Sequence, residues 1–153
     1  MKTLAWTGLA SGATALIGSL ANTRTAWYES LRKPSFQPPP VAFPLVWTPL
    51  YVDIAVSSAA VIDRAEEPAA FERALAGNLA LNAAWTWIFF RARAPRAATA
   101  ECAVLALSSA DLARRAYAVD RRAGLALVPY AAWTAFATVL SAAVARLNPT
   151  IER

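Results

Sequence analysis

Between Ala123 and Ala145 the chain runs without a single charged side chain. A helix rises 1.5 Å per residue, so about 20 such residues cross a hydrocarbon core of about 30 Å. A soluble helix of that length shows a charged outer face, and this run has none. Leu4 to Ala21 is likewise uncharged, Phe43 to Ile62 is broken only by Asp53, and Ala74 to Phe90 is uncharged but slightly short. A fifth run, Ala97 to about Tyr117, carries Glu101, Asp111, Arg114 and Arg115. The pattern predicts an all-α fold, an integral membrane bundle of five transmembrane helices at about 4–21, 43–62, 74–90, 97–117 and 123–145. These make one domain over residues 1–153.

Composition excludes the main alternatives. Hydrophobic residues make up 58% and charged ones 16%, against about 45–50% and about 25% in soluble domains. Mean hydropathy is +0.37, incompatible with intrinsic disorder. The net charge is +5, and every basic residue except Lys2 and Lys33 is arginine. These arginines sit in the gaps between apolar runs, the place of membrane-surface flanks, and do not form a nucleic-acid face interleaved with aromatics. The chain has no histidine, which excludes imidazole bases, histidine–zinc sites and histidine-ligated haem. A single cysteine, Cys102, excludes an intrachain disulfide or a multi-cysteine metal site; it is expected to be a small buried apolar residue. Leu4 to Ala21, ending in Ser19-Leu20-Ala21, also resembles a cleavable signal peptide. Four further apolar runs argue against a secreted soluble product and for an uncleaved first helix.

Short turns at Ala65 to Pro68 and Arg91 to Pro95 predict antiparallel neighbours. The link from Asn22 to Ala42 is different, holding Trp27, Tyr28, Phe36 and Pro38-Pro39-Pro40. It is too aromatic for a passive linker and too proline-rich for a helix. A short helical turn over Thr25 to Leu31 is expected, then an extended proline segment, the whole of 22–42 forming a lid over one mouth of the bundle. Basic residues number seven at one end of a five-span bundle and eight at the other, which leaves the positive-inside rule silent on orientation.

Aromatic spacing points to an interior site. Trp47 and Tyr51 are four apart, Asn82, Trp85 and Phe89 lie at i, i+3 and i+7, and Tyr130, Trp133 and Ala137 repeat that pattern, so each set shares a helical face. Trp6, near a terminus, reads as an interfacial anchor. An unpaired Asn82 amide in lipid would cost several kcal/mol, so its face points inward. These rings either pack helix against helix or wall a flat cleft beneath the lid. Pro44, Pro49 and Pro129 each remove a backbone donor and are expected to bend their helices. Asp53, about 200° round the helix from Tyr51, points away from the aromatic face, toward a subunit interface or an arginine partner, with a proton relay as the alternative. Asp111, Arg114 and Arg115 form a pairable i, i+3, i+4 set. No glycine-rich phosphate loop or nucleophile–histidine motif is present.

Four ordered motifs carry a resemblance. Trp27-Tyr28-x-x-Leu31-x-Lys33-Pro34-x-Phe36-x-Pro38-Pro39, Phe43-Pro44-x-x-Trp47-Thr48-x-x-Tyr51, Leu81-Asn82-x-x-Trp85-x-x-x-Phe89-Phe90 and Val128-Pro129-Tyr130-x-x-Trp133-x-x-Phe136-Ala137-Thr138-x-Leu140 together resemble the translocator protein family, also called tryptophan-rich sensory proteins or peripheral-type benzodiazepine receptors. The resemblance implies a homodimer in the membrane that binds porphyrins, haem and other planar apolar molecules, with no cofactor required. It implies a pocket walled by Trp27, Tyr28, Trp47, Tyr51, Asn82, Trp85, Phe89, Tyr130, Trp133 and Ala137. It also implies, as the enzymatic alternative, light-dependent protoporphyrin breakdown with Trp47 and Trp133 as the reactive tryptophans. The chain departs from the family at Leu140-Ser141-Ala142 and lacks the aromatic of the proposed sterol motif between Leu140 and Arg146, which argues against sterol binding there. No mitochondrial-type extension precedes the first helix, and the alanine and arginine bias suggests a bacterial cell membrane. The expected function is a porphyrin receptor or carrier; transport or proton relay through Asp53 is the further alternative.

Overall fold

A computed structural model describes residues 1–21 and 25–149, and every regular element among them is helical. In chain order these are α1 (Lys2–Ala21), α2 (Ala26–Ser30), α3 (Ala42–Arg64), α4 (Ala69–Thr86, continuing into a π-helical turn over Trp87–Arg91), α5 (Pro95–Val119), α6 (Arg121–Ala126) and α7 (Val128–Leu147). Three stretches, Lys2–Ala21, Ala42–Arg64 and Arg121–Leu147, are long and apolar enough to cross a membrane. The chain is a helical membrane bundle.

Two boundaries differ from the sequence expectation for physical reasons. α4 begins ahead of its apolar run, with Glu72 in the first turn, where the helix dipole favours an acid. The run at 123–145 divides at Leu127 because Pro129, which has no N–H to give, sits in the first turn of α7. Pro44 likewise occupies the first turn of α3, so Pro49 is the one of the three expected benders that lies inside a helix. Asp120 opens α6 by accepting from the Ala123 and Arg122 N–H groups at 3.3 and 2.8 Å, which holds its carboxyl below the usual range. Arg64, at 3.4 Å, ties that cap to the end of α3.

Cross-helix hydrogen bonds fix the arrangement. Thr7 Oγ1 donates to the Ala55 carbonyl at 2.9 Å and Thr3 Oγ1 to Asp63, so α1 and α3 are antiparallel. Asn78 donates to Ser108 and Ser109, both at 3.1 Å, pairing α4 with α5. The Trp87 indole donates to the Ile17 carbonyl at 3.2 Å, setting α1 beside α4. Consequently α2, the proline segment, the turn after α4 and the end of α7 share one end of the bundle, the lid end. There the described residues carry Arg32, Lys33, Arg91, Arg93, Arg96 and Arg146 against Glu29 and, nearly two turns into α5, Glu101. At the opposite end Lys2, Arg64, Arg73, Arg114, Arg115, Arg121 and Arg122 meet Asp63, Glu66, Glu67, Glu72, Asp111 and Asp120. Basic residues alone are balanced between the ends; acids are not.

Two apolar cores stack along the bundle. Ile54, Val61, Leu75, Leu112 and Tyr130 belong to one, and Leu31, Phe89, Phe90, Ala98 and Val144 to the other, at the lid end. Below the first core, α6 folds back on α5 so closely that a Cβ on Gly124 would clash with the Tyr117 backbone. Gly124→Ala is therefore expected to destabilise the protein by about 1–3 kcal/mol, as overpacking does. An unchanged melting midpoint in detergent would show that this corner yields freely.

Candidate ligand-binding cavity

The lid is built from its own polar contacts. Thr25 Oγ1 accepts from the Tyr28 N–H at 3.3 Å, capping α2 at its start. Lys33 Nζ donates to the Tyr28 and Leu31 carbonyls at 2.9 and 3.2 Å at its other end, and lies 4.7 Å from the Tyr28 ring centroid. The expected helical turn is present; the proline segment after it is folded by two turns, with the Gln37 N–H donating to the Pro34 carbonyl at 3.0 Å and the Ala42 N–H to the Pro39 carbonyl at 2.9 Å, and residues 22–24 lie outside the described residues. Asn148 fastens the lid to the end of α7. Its Oδ1 accepts from the Arg32 N–H at 2.9 Å, and its Nδ2 donates to the Arg32 carbonyl at 2.8 Å.

Beneath the lid lies a cavity of about 520 Å³, within the range of small-molecule sites. Of the residues expected to form a pocket, Tyr28, Trp47, Tyr51, Asn82, Trp85, Phe89, Trp133 and Ala137 line it together. Trp47 stacks on Tyr51 at 5.3 Å and 27°, and meets Trp133 edge-on at 6.4 Å and 87°. On the opposite wall Trp85 stacks on Phe89 at 5.5 Å and 24°. These are the offset and T-shaped geometries that aromatic quadrupoles favour. No charged side chain is among the lining residues. The indole N–H groups of Trp85 and Trp133 are buried without a hydrogen-bond acceptor.

Behind the rings runs a chain of buried hydrogen bonds. Tyr51 OH donates to Asn82 Oδ1 at 2.7 Å, Asn82 Nδ2 to Tyr130 OH at 3.0 Å, and Tyr130 OH to Asn78 Oδ1 at 2.8 Å. Asn78 then reaches Ser108 and Ser109, and Ser109 Oγ closes on the Leu105 carbonyl at 2.8 Å. Four helices, α3, α4, α5 and α7, are joined through one amide–phenol–amide sequence.

The structure corrects two of the expected wall positions. Tyr130 is completely buried and does not line the cavity, because its hydroxyl is engaged between Asn82 and Asn78. Trp27 also stands outside it, packed edge-on against Phe89 at 5.9 Å with the Arg93 guanidinium 6.0 Å from its ring. Asp53 lies away from the cavity, as its helical angle indicated, and takes a hydrogen bond from Ser57 at 2.8 Å; among the described residues no arginine pairs with it. Asp111 pairs with both Arg114 and Arg115.

Other wall residues escaped the sequence reading. Phe90 enters the wall because the π-helical turn, with Ala92 N–H donating to the Trp87 carbonyl at 2.9 Å, carries Phe89 and Phe90 inward together. Such turns recur at functional sites. Cys102, Phe43, Phe136 and Gln37 also line the cavity, and Gln37 Nε2 donates to Tyr28 OH at 3.3 Å. The Phe43-Pro44 and Phe89-Phe90 pairs were visible in the motifs; nothing in periodicity marked Gln37 or Asn148.

The TspO/MBR family profile matches residues 5–147. The chain belongs to this family. Among its relatives, the tryptophan-rich sensory protein of Cereibacter sphaeroides is 36% identical over 141 residues, covering 91% of this chain and 87% of its own length. Protein CrtK of Rhodobacter capsulatus is 37% identical over 130 residues, 81% of this chain and 79% of its own. The human translocator protein is 36% identical over 126 residues, 80% and 75%. In this TspO/MBR protein the buried hydrogen-bond chain is expected to be structural. Tyr130→Phe strands Asn82 Nδ2 and Asn78 Oδ1, each a loss of about 1–3 kcal/mol, whereas Tyr51→Phe frees only an Asn82 oxygen at the cavity wall. Thermal unfolding in detergent should rank Tyr130→Phe well below Tyr51→Phe; the reverse order would refute this ranking.

Proposed function

We propose that this chain is a membrane receptor or carrier for planar, largely apolar ligands, with porphyrins such as protoporphyrin IX and haem as the best fit. The observation that carries the reading is the meeting of rings from α3, α4 and α7 around one uncharged cavity closed by an aromatic lid. Flat walls favour a flat ligand, since stacked and edge-on contacts with a second ring system extend those already present. Tyr28, Gln37, Tyr51 and Asn82 set a few fixed polar groups among the mainly apolar lining residues, the usual design of a specific pocket. The names of relatives, sensory protein and translocator protein, agree with binding and passage as opposed to metabolism. Five antiparallel passes, a homodimer and a bacterial cell membrane complete the reading, supported by the five long helices and by the family resemblance.

Trp47→Ala or Trp133→Ala is expected to weaken protoporphyrin binding at least tenfold, about 1.4 kcal/mol, read as tryptophan quenching on detergent-solubilised protein. Unchanged quenching affinity in both variants would refute the site.

One observation favours a second reading, light-dependent porphyrin breakdown. Trp47 contacts Tyr51, Tyr130 and Trp133 at 5.3, 6.3 and 6.4 Å, a continuous set of oxidisable rings reaching the cavity wall. Under that reading the Soret band is lost with a new product peak, faster in the wild type than in the Trp47→Phe, Trp133→Phe double variant and not in the dark. Equal bleaching of the two leaves binding alone.

A further inference from the structure

The charge distribution deepens this reading, on which the following inference rests. The cavity wall holds no charged side chain, and burying an unpaired carboxylate there would cost several kcal/mol. Among the described residues, basic side chains outnumber acidic ones at the lid end above it. Of its six basic residues, Arg32, Lys33, Arg91, Arg93 and Arg146 have no ion pair with a carboxylate among the described residues. At the other end, by contrast, Arg64, Arg114 and Arg115 are all paired. Two lid-end cations lie against rings beside the cavity: Lys33, whose ammonium also donates to the Tyr28, Glu29 and Leu31 carbonyls, over Tyr28, which lines the cavity, and Arg93 over Trp27, which packs on Phe89.

We infer that the lid-end cations form a collar that selects amphiphilic anions: the ligand's flat apolar body enters the cavity and its carboxylates stay outside, among Arg32, Lys33 and Arg93. The collar acts in two ways. It raises the local concentration of anionic ligand at the mouth, an effect that salt screens. It also sets the ligand's polarity in the site, carboxylate edge toward the lid, because the reversed pose buries charge against an uncharged wall.

The test compares protoporphyrin IX with its dimethyl ester, which has the same ring and no carboxylates, on protein in nanodiscs of zwitterionic lipid. Raising ionic strength from about 0.01 M to about 1 M shortens the screening length from about 30 Å to about 3 Å. The diacid should then lose about tenfold or more in affinity while the ester changes little. The Arg32→Gln, Arg93→Gln double variant should reproduce that selective loss at low salt, and Arg121→Gln, Arg122→Gln at the opposite end should not. Retained ester affinity in the lid-end variant shows that it is folded. Ester and diacid binding alike, with no dependence on salt or on Arg32 and Arg93, would overturn the collar and leave the porphyrin pocket standing. Neither compound binding would overturn the porphyrin reading and the collar with it. Diacid binding that survives Trp47→Ala and Trp133→Ala yet falls with the collar would place the ligand on the surface, and overturn the proposed pose.

Discussion

In a medium where lipid tails are as apolar as leucine, helices gain little from hydrophobic burial against one another, and polar contacts decide which faces meet. Here that role falls to the buried sequence Tyr51, Asn82, Tyr130, Asn78 and Ser109. Each member donates to the next, so each bond polarises its neighbour, and breaking any link leaves a polar group in low dielectric. The chain fixes the rotation of α3, α4 and α7 about their axes. Once those rotations are fixed, Trp47, Trp85 and Trp133, which share helical faces with Tyr51, Asn82 and Tyr130, have one place to go. The aromatic cavity is thus a geometric consequence of the hydrogen-bond chain behind it.

A void of this size in a close-packed interior ordinarily invites collapse. Several features oppose it. Trp47 is wedged against Tyr51, Tyr130 and Trp133 in contacts between 5.3 and 6.4 Å, so it cannot swing into the space without losing three ring contacts. The π-helical turn carries Phe89 and Phe90 inward side by side, at 4.9 Å, making one rigid wall. The lid presses from above but is held at a fixed height, because Asn148 grips the backbone of Arg32 and not a pliable side chain.

The parts of this structure legible in the sequence are those set by periodicity and by the cost of a misplaced polar atom. Asn82 had to face inward, and that single requirement oriented Trp85 and Phe89 correctly. Tyr130 shows the limit: a face period places a ring toward the interior but does not distinguish the cavity wall from the layer behind it. That distinction depends on whether the phenol hydroxyl finds two amide partners, and one of these, Asn78, lies a full turn before Asn82 on α4. Trp27 failed for a related reason, since a residue in a non-repeating lid has no period from which to infer a direction. Asn148 and Gln37 act through contacts distant in sequence and made by ordinary polar side chains, which leave no local signature. The break at Leu127 was foreseeable from Pro129 but was masked by the unbroken apolar run, which satisfies a length criterion whether or not the helix restarts.

The separation of charge along the bundle follows from the same economy of polar groups. Acidic side chains at the end remote from the lid are spent on structure: Asp120 caps α6 and holds Arg64, and Asp111 pairs with Arg114 and Arg115. These contacts neutralise that surface. At the lid end the described fastenings spend no acid: Asn148 is the clasp, Thr25 the cap, and the Lys33 ammonium sits on backbone carbonyls. Among the described residues these fastenings put no acid on Arg32, Lys33, Arg91, Arg93 or Arg146, and Arg93 and Lys33 rest on the rings of Trp27 and Tyr28, whose quadrupoles attract a cation without neutralising it. An uncharged cavity beneath a cationic rim is therefore what remains when one end of a membrane bundle is sewn together with acids and the other with amides.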